Sequence, residues 1–239
     1  MKTCFILGAS GGIGQAIAKK LAGSGYGLIL HYQTNHEAID QLCKNLPDGS
    51  VLQTVQGDLR QEASVLNMLD QIAFSVDALV VASGTSLVKL FQDVTVNEMN
   101  DVLAIHVKSP WLISQKLLPD MIKKRSGHII LISSIWGEVG ASCEVVYSSV
   151  KGAQDSFVKS LAKEVGRSGV HVNGIRPGFI RTSMNNQLSD EELIDIEEDI
   201  PLGRLGEPGD IANTVHFLVG SGASYIQGEI INVNGAWNG

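Results

Sequence analysis

Short apolar runs alternate with amphipathic stretches along the chain. Strand-like runs fall at 2–7, 26–32, 51–56, 77–82, 128–133, 170–175 and 229–233. Helical patterns lie between them, as in Ile13, Ile17 and Leu21, spaced by four. Repeated strand-then-helix order predicts an α/β fold, a doubly wound parallel sheet of about seven strands covered by helices on both faces. Ligands of such sheets bind beyond the carboxyl ends of the strands. Gly8, Asp58, Ser83, Ser134 and Pro177 each follow a predicted strand directly, so they should gather along one rim.

The first strand breaks into Gly8-Ala9-Ser10-Gly11-Gly12-Ile13-Gly14, and a helix follows at once. Strand, glycine turn and helix together form the context of a phosphate-binding loop. Glycines let the backbone approach a pyrophosphate, and the helix N-terminus presents unpaired N–H groups and a positive dipole end. Gly8-Ala9-Ser10-Gly11-Gly12 also fits G-x-S-x-G, the nucleophile elbow of a hydrolase. That reading needs an acid and then a histidine downstream. After residue 171 the chain offers only His216, inside an apolar helical run. A glycine-rich structural turn is the plainer alternative.

A second candidate group is Ser134 with Tyr147 and Lys151. On a helix, residues four apart share a face. A free tyrosine ionises near pH 10. A cation about 4 Å away, at an effective dielectric near 20, favours the phenolate by about 4 kcal/mol, which is roughly three pKa units. Tyr147 is thereby expected to exchange a proton with a carbonyl or alcohol oxygen near neutral pH.

The chain has 239 residues, of which 44% are hydrophobic, with no linker or repeat. One domain over 1–239 is expected. No run is long enough for a membrane span, and the first apolar run is too short for a signal peptide. Three scattered cysteines, Cys4, Cys43 and Cys143, have no metal-like spacing. They suggest reduced thiols, a cytoplasmic protein and no metal site. The net charge is −7, and residues 190–199 carry seven acids and no base, which accounts for all of it. No basic stripe suggests a nucleic-acid partner, and the acidic run reads as a solvated helix face.

These residues together resemble the short-chain dehydrogenase/reductase family over essentially the whole chain. The matching segments are Gly8…Gly12-Ile13-Gly14, Asp58, Ser83-Gly84, the Ser134/Tyr147/Lys151 set and Arg176-Pro177-Gly178-Phe179-Ile180. Pro201-Leu202-Gly203-Arg204-Leu205-Gly206-Glu207-Pro208, Asp210-Ile211-Ala212 and Ala223-Ser224-Tyr225-Ile226-Gln227-Gly228 resemble the branch of the 3-oxoacyl-[acyl-carrier-protein] reductases. The resemblance implies a Rossmann-type fold and a homotetramer packed partly through the stripe Val146, Val150, Ala153, Phe157 and Leu161. It implies a substrate lid at 182–205. It makes Tyr147 the general acid, Lys151 its electrostatic partner and ribose ligand, and Ser134 the residue that orients the substrate carbonyl. Gly8, Ser10, Gly11, Gly12, Ile13 and Gly14 would hold the cofactor phosphates, and Asp58 and Leu59 would meet the adenine. Ser83, Gly84, Pro177 and Gly178 would also bind the cofactor, and Ile180 would face the nicotinamide amide.

Departures from the family pattern are Leu7 for its usual Thr, Val81-Ala82-Ser83-Gly84 for Asn-Asn-Ala-Gly, and His106 for its catalytic Asn. A neutral His can donate and accept, so His106 is a candidate member of an altered proton relay. The end of the second strand carries no acid before Glu37, so nothing there repels a 2′-phosphate. The implied cofactor is NADPH, with Gln33 among its contacts and NADH not excluded. Lys123, Lys124 and Arg125 are the candidate docking patch for acyl carrier protein; a solvated helix end is the plainer alternative. Trp136 and Val139 are expected to border the substrate pocket. Three readings compete: reduction of a 3-oxoacyl thioester on acyl carrier protein or CoA, chemistry on another ketone or alcohol, and nucleotide binding with little or no catalysis.

Overall fold

The computed structural model describes residues 1–182 and 189–238. Its strands are β1 (Thr3–Leu7), β2 (Gly27–Tyr32), β3 (Val51–Gln56), β4 (Ala78–Val81), β5 (Gly127–Ile132), β6 (Val170–Pro177) and β7 (Ile230–Val233). They form one sheet, order β3-β2-β1-β4-β5-β6-β7, and every pair is parallel. Each predicted apolar run overlaps one strand, and β5 begins one residue earlier and β6 ends two residues later than expected. The α-helices are α1 (Gly12–Ala22), α2 (His36–Lys44), α3 (Glu62–Asp70), α4 (Val96–Leu103), α5 (Ser109–Lys124), α6 (Trp136–Val139), α7 (Val145–Val165), α8 (Asp190–Asp199) and α9 (Pro208–Leu218).

Strand pleating divides each buried run between two cores. Cys4 and Ile6, with Leu28, Leu30, Ile130 and Ile132, pack against Ile17 and Leu21 of α1, Ile39 of α2 and Ile211 and Val215 of α9. Phe5 and Leu7, with Ile29, Leu79, Val81, Ile129 and Leu131, pack against Val65 and Met68 of α3, Ile113 of α5 and Val158 and Ala162 of α7. Burying one such side chain contributes about 1.5–3 kcal/mol, so the five-residue strand β1, buried throughout, anchors both layers.

The chain winds outward from β1 in one direction and from β4 in the other. β1 and β4 are neighbours, and a crevice opens where the winding reverses. The loop after β1, the loop after β4 and the start of α1 flank it. Between α4 and α5 the helix widens into a π-helical turn, Ala104–Lys108, which carries His106. Such insertions alter which backbone groups a helix leaves available.

Candidate active site

The glycine turn is built by close approach. Gly8 has φ +77°, a conformation that suits glycine. A Cβ on Gly14 would collide with the Gly8 carbonyl oxygen and stand 2.9 Å from Ala9 Cα. Helix α1 therefore starts pressed against β1. Its N-cap, Gly11, supplies no side-chain cap, and its first turn has no acid. That leaves N–H groups and a positive dipole end for an anion.

His31, at the end of β2, braces this turn. The Gly8 N–H donates to His31 Nδ1 at 3.1 Å, and Nε2–H donates to the Gly57 carbonyl at 3.0 Å. The Ala9 N–H donates to the His31 carbonyl at 2.9 Å. One imidazole thus ties together the ends of β1, β2 and β3. Burial lowers its pKa to about 4, so it is neutral at physiological pH.

A cavity of about 940 Å³ runs from this turn across the strand ends. Gly8, Ser10, Gly11, Gly12, Ile13, Gly14, Gln33, Leu59, Ser83, Gly84, Pro177, Gly178 and Ile180 line it, as do Ser134, Tyr147 and Lys151. Asp58 does not. Its carboxylate accepts from Arg60 Nε at 2.9 Å and from the second guanidinium nitrogen at 2.7 Å. The wall there is Leu59 and Arg60. Trp136 lines the far end as expected, its ring 5.5 Å from that of Trp237 and edge-on to it. Val139 is 53% exposed and stands outside the lining.

Ser134 follows β5 and is buried. It shares a side-chain hydrogen bond with Tyr147, which reaches it from α7. One turn along α7, Lys151 is 3% exposed. Its Nζ donates to the Ile132 carbonyl at 2.8 Å and to Gln154 Oε1 at 3.2 Å, and lies 5.5 Å from the Tyr147 ring centroid. The expected lowering of the Tyr147 pKa is not what the protein's own groups produce. Desolvation, then the nearby Glu144 carboxylate, push it up to about 12 against the Ser134 hydrogen bond. The Lys151 ammonium does not offset this rise. It is held on Ile132 and Gln154, and burial lowers its own pKa to about 7.

His106 is fully buried and does not line the cavity. Its ring meets the Tyr147 ring edge-on at 5.4 Å. It occupies space that a side chain at Gly84 would take, since a Cβ there would stand 2.9 Å from His106 Cε1. Nε2 lies 3.0 Å from the Thr85 carbonyl and 3.2 Å from the Thr85 N–H. Nδ1 has no protein partner among the described residues. The tautomer with the proton on Nε2 is favoured, because it leaves a bare lone pair rather than a buried N–H unpaired. Burial, with the Lys151 charge, lowers its pKa to about 3.

Lys123, Lys124 and Arg125 are not at the mouth of this cavity. They end α5 and lead into the start of β5, and Lys124 Nζ pairs with Asp77 at 2.9 Å, just before β4. That is the rim opposite the strand carboxyl ends. The expected lid falls partly on residues 183–188, outside the described residues. Its described part includes α8, capped by Ser189, and Ile196 of α8 lines the cavity.

Sequence reading missed His31, Arg60, Gln154 and Trp237. The strongest available signal was at Gln154 and Asp155, three and four residues past Lys151. They continue the row that leads to Val158, Ala162 and Val165 on the buried face of α7.

The family model described as enoyl-(acyl carrier protein) reductase matches residues 8–238. The chain belongs to the short-chain dehydrogenase/reductase family. It is 45% identical over 239 residues to an uncharacterized oxidoreductase, YmfI, of Bacillus subtilis, covering 99% of both chains. It is 38% identical to the 3-oxoacyl-[acyl-carrier-protein] reductase FabG of Aquifex aeolicus, covering 98% of this chain and 96% of that one. Among solved structures, a protein from Beutenbergia cavernae described as an NAD(P)-dependent gluconate 5-dehydrogenase, with bound NADP at low occupancy, superposes with a TM-score of 0.92. It is 28% identical, with 99% of this chain and 96% of that chain covered. As a short-chain dehydrogenase/reductase, the chain is an oxidoreductase, and its seven-stranded sheet is the Rossmann-type fold.

Proposed function

We propose that the chain reduces a 3-oxoacyl thioester, carried on acyl carrier protein or CoA, to its 3-hydroxyacyl form with NADPH. The observation that carries this reading is the convergence of Ser134, Tyr147 and Lys151 on one wall of a cavity whose other end is an uncapped helix N-terminus. The similarity to FabG of Aquifex aeolicus supports the substrate class.

The residues fit a dinucleotide. The close-packed turn Gly8–Gly14 would hold the pyrophosphate, and the buried Ser83 Oγ, unpartnered among described protein groups, offers a polar contact further along. Gln33 and Arg60 line the adenosine end with no carboxylate at the end of β2, which supports NADPH over NADH. When bound, the reduced cofactor supplies the hydride.

The chain's own groups handle the proton. Ser134 Oγ orients the substrate carbonyl beside the phenol. Tyr147, its pKa near 12, holds its proton at neutral pH and serves as an acid. It releases that proton as negative charge builds on the substrate oxygen, and the phenolate left behind gains from the Lys151 ammonium. The remaining N–H of Lys151 is available to a ribose hydroxyl. Trp136, Trp237 and Ile196 would enclose the acyl end.

The partly exposed α5 and α7 faces, where Trp111 is 44% exposed and tilts against Phe157 at 6.1 Å, support assembly as a homotetramer. A carrier protein docked at Lys123–Arg125 would then serve the cavity of another copy. A cytoplasmic location follows from the same reading.

The aromatic pair Trp136–Trp237 favours a second reading, reduction of a free ketone. Cofactor oxidation with a short 3-oxoacyl thioester, NADPH and NADH side by side, distinguishes them. NADPH turnover on the thioester is expected. Faster turnover of free ketones would favour the second reading, and no turnover of either class would overturn the reductase assignment.

A further inference from the structure

Resting on that reading, we infer that Gln154 is a positioning residue whose side-chain amide ties the Lys151 ammonium to the main chain of the π-helical turn. Gln154 is 1% exposed and stands one turn beyond Lys151 on α7. Its Oε1 accepts from Lys151 Nζ at 3.2 Å, and its Nε2 donates to the His106 carbonyl at 2.7 Å. These partners set the amide's orientation, because an ammonium only donates and a carbonyl only accepts. With the Ile132 carbonyl as the other acceptor, the amine is held between the end of β5 and the π-helical turn. Its third N–H is left for the cavity. The part His106 plays in this network is that of its carbonyl, not its ring.

A leucine would fill the same space without the desolvation cost of a buried amide. Besides the Ile132 carbonyl, only the amide gives the buried ammonium an acceptor. The other side chains around Lys151 do not supply one. Tyr147 of α7 presents its ring, and His106 of the π-helical turn is neutral. Asp155 of α7 acts on Lys151 through space, but its Oδ2 accepts from Arg176 Nε of β6 at 2.8 Å. Arg176 in turn meets Glu138 of α6 at 2.8 Å. Glu144 acts on Tyr147 from the start of α7.

The test follows Lys151 directly. Lysine labelled with ¹³C at Cε is titrated by NMR in the wild type, Gln154→Leu and Gln154→Glu, with the resonance assigned by Lys151→Met. The pH dependence of kcat with NADPH and a 3-oxoacyl thioester is recorded alongside. Loss of the acceptor in Gln154→Leu should lower the Lys151 midpoint by about one pH unit. The alkaline limb of kcat should move with it, a roughly tenfold loss at a pH above both midpoints. The carboxylate of Gln154→Glu should move both upward, a rescue that a space-filling role would not show. Lys151 midpoints unchanged in both variants overturn the inference. Shifted midpoints in the variants, with a wild-type protein that reduces no ketone, support the hold on Lys151 and sink the reductase reading instead. If circular dichroism shows Gln154→Leu unfolded, the Gln154→Glu titration decides.

Discussion

At the scale of single residues, burial sets the two key pKa values in opposite directions. It penalises whichever form is charged, so it raises a phenol and lowers an ammonium. Tyr147 near 12 and Lys151 near 7 are both results of desolvation. A protonated phenol at neutral pH suits the reductive direction. Tyr147→Phe removes the phenolic proton while keeping the ring against His106. The expected outcome is a loss of kcat of about 10²–10⁴-fold, with cofactor affinity unchanged in a fluorescence titration. A Tyr147→Phe protein that keeps wild-type kcat would place the proton donor elsewhere. The ring of His106, behind Tyr147 and outside the cavity lining, shapes the site through packing against Gly84 and Tyr147.

At the scale of elements, the phosphate turn depends on contacts between three consecutive pieces: the end of β1, the start of α1 and the end of β2. Gly14 is the tightest point, and Gly8 and Ala9 are held by His31. Gly14→Ala should push α1 from β1, lower stability by about 1–3 kcal/mol and weaken NADPH binding at least tenfold. Thermal melts and cofactor titration check both. Gly11→Ala is the control for stability alone, since a Cβ there meets only the Gly8 carbonyl at an ordinary 3.5 Å but stands on the phosphate site. Equal losses of stability in both variants would mean that the close approach is not what the turn requires.

At the scale of the whole molecule, two buried histidines, His31 and His106, and the half-buried His128 make the fold acid-sensitive. His31 and His128 have pKa values lowered to about 4 and His106 to about 3, each chiefly by burial. In the unfolded chain a histidine protonates near pH 6.5. The unfolded state therefore binds more protons between that pH and the folded values, and stability rises with pH across the interval. The stabilisation is fully present above about pH 6.5 and is lost as pH falls toward 4 and 3. Urea melts at pH 7 and pH 5 should show a lower midpoint at pH 5. Replacing His128 with Phe should shrink that difference, and an undiminished difference would assign the acid sensitivity to other groups.

The chain's pattern alone determined the architecture. Seven strand-like runs separated by amphipathic stretches admit few arrangements other than a parallel sheet with helices on both faces, because short-range periodicity reports which faces are buried. The glycine turn and the Ser134, Tyr147 and Lys151 set were legible for the same reason, each lying within one strand–turn–helix segment or one helical turn. Asp58 turned to Arg60, two residues on, and away from the cavity, a choice of rotamer that periodicity does not report. The rest of what the tertiary structure decided involves segments distant in sequence. The Tyr147 pKa went up because the fold buries the phenol and sets Glu144 near it. His106 went behind the tyrosine because Gly84 made room, and Lys123–Arg125 fell on the far rim because α5 runs antiparallel to the strands. Burial and hydrogen bonding between such segments depend on how the layers close on one another, and local pattern carries no record of that.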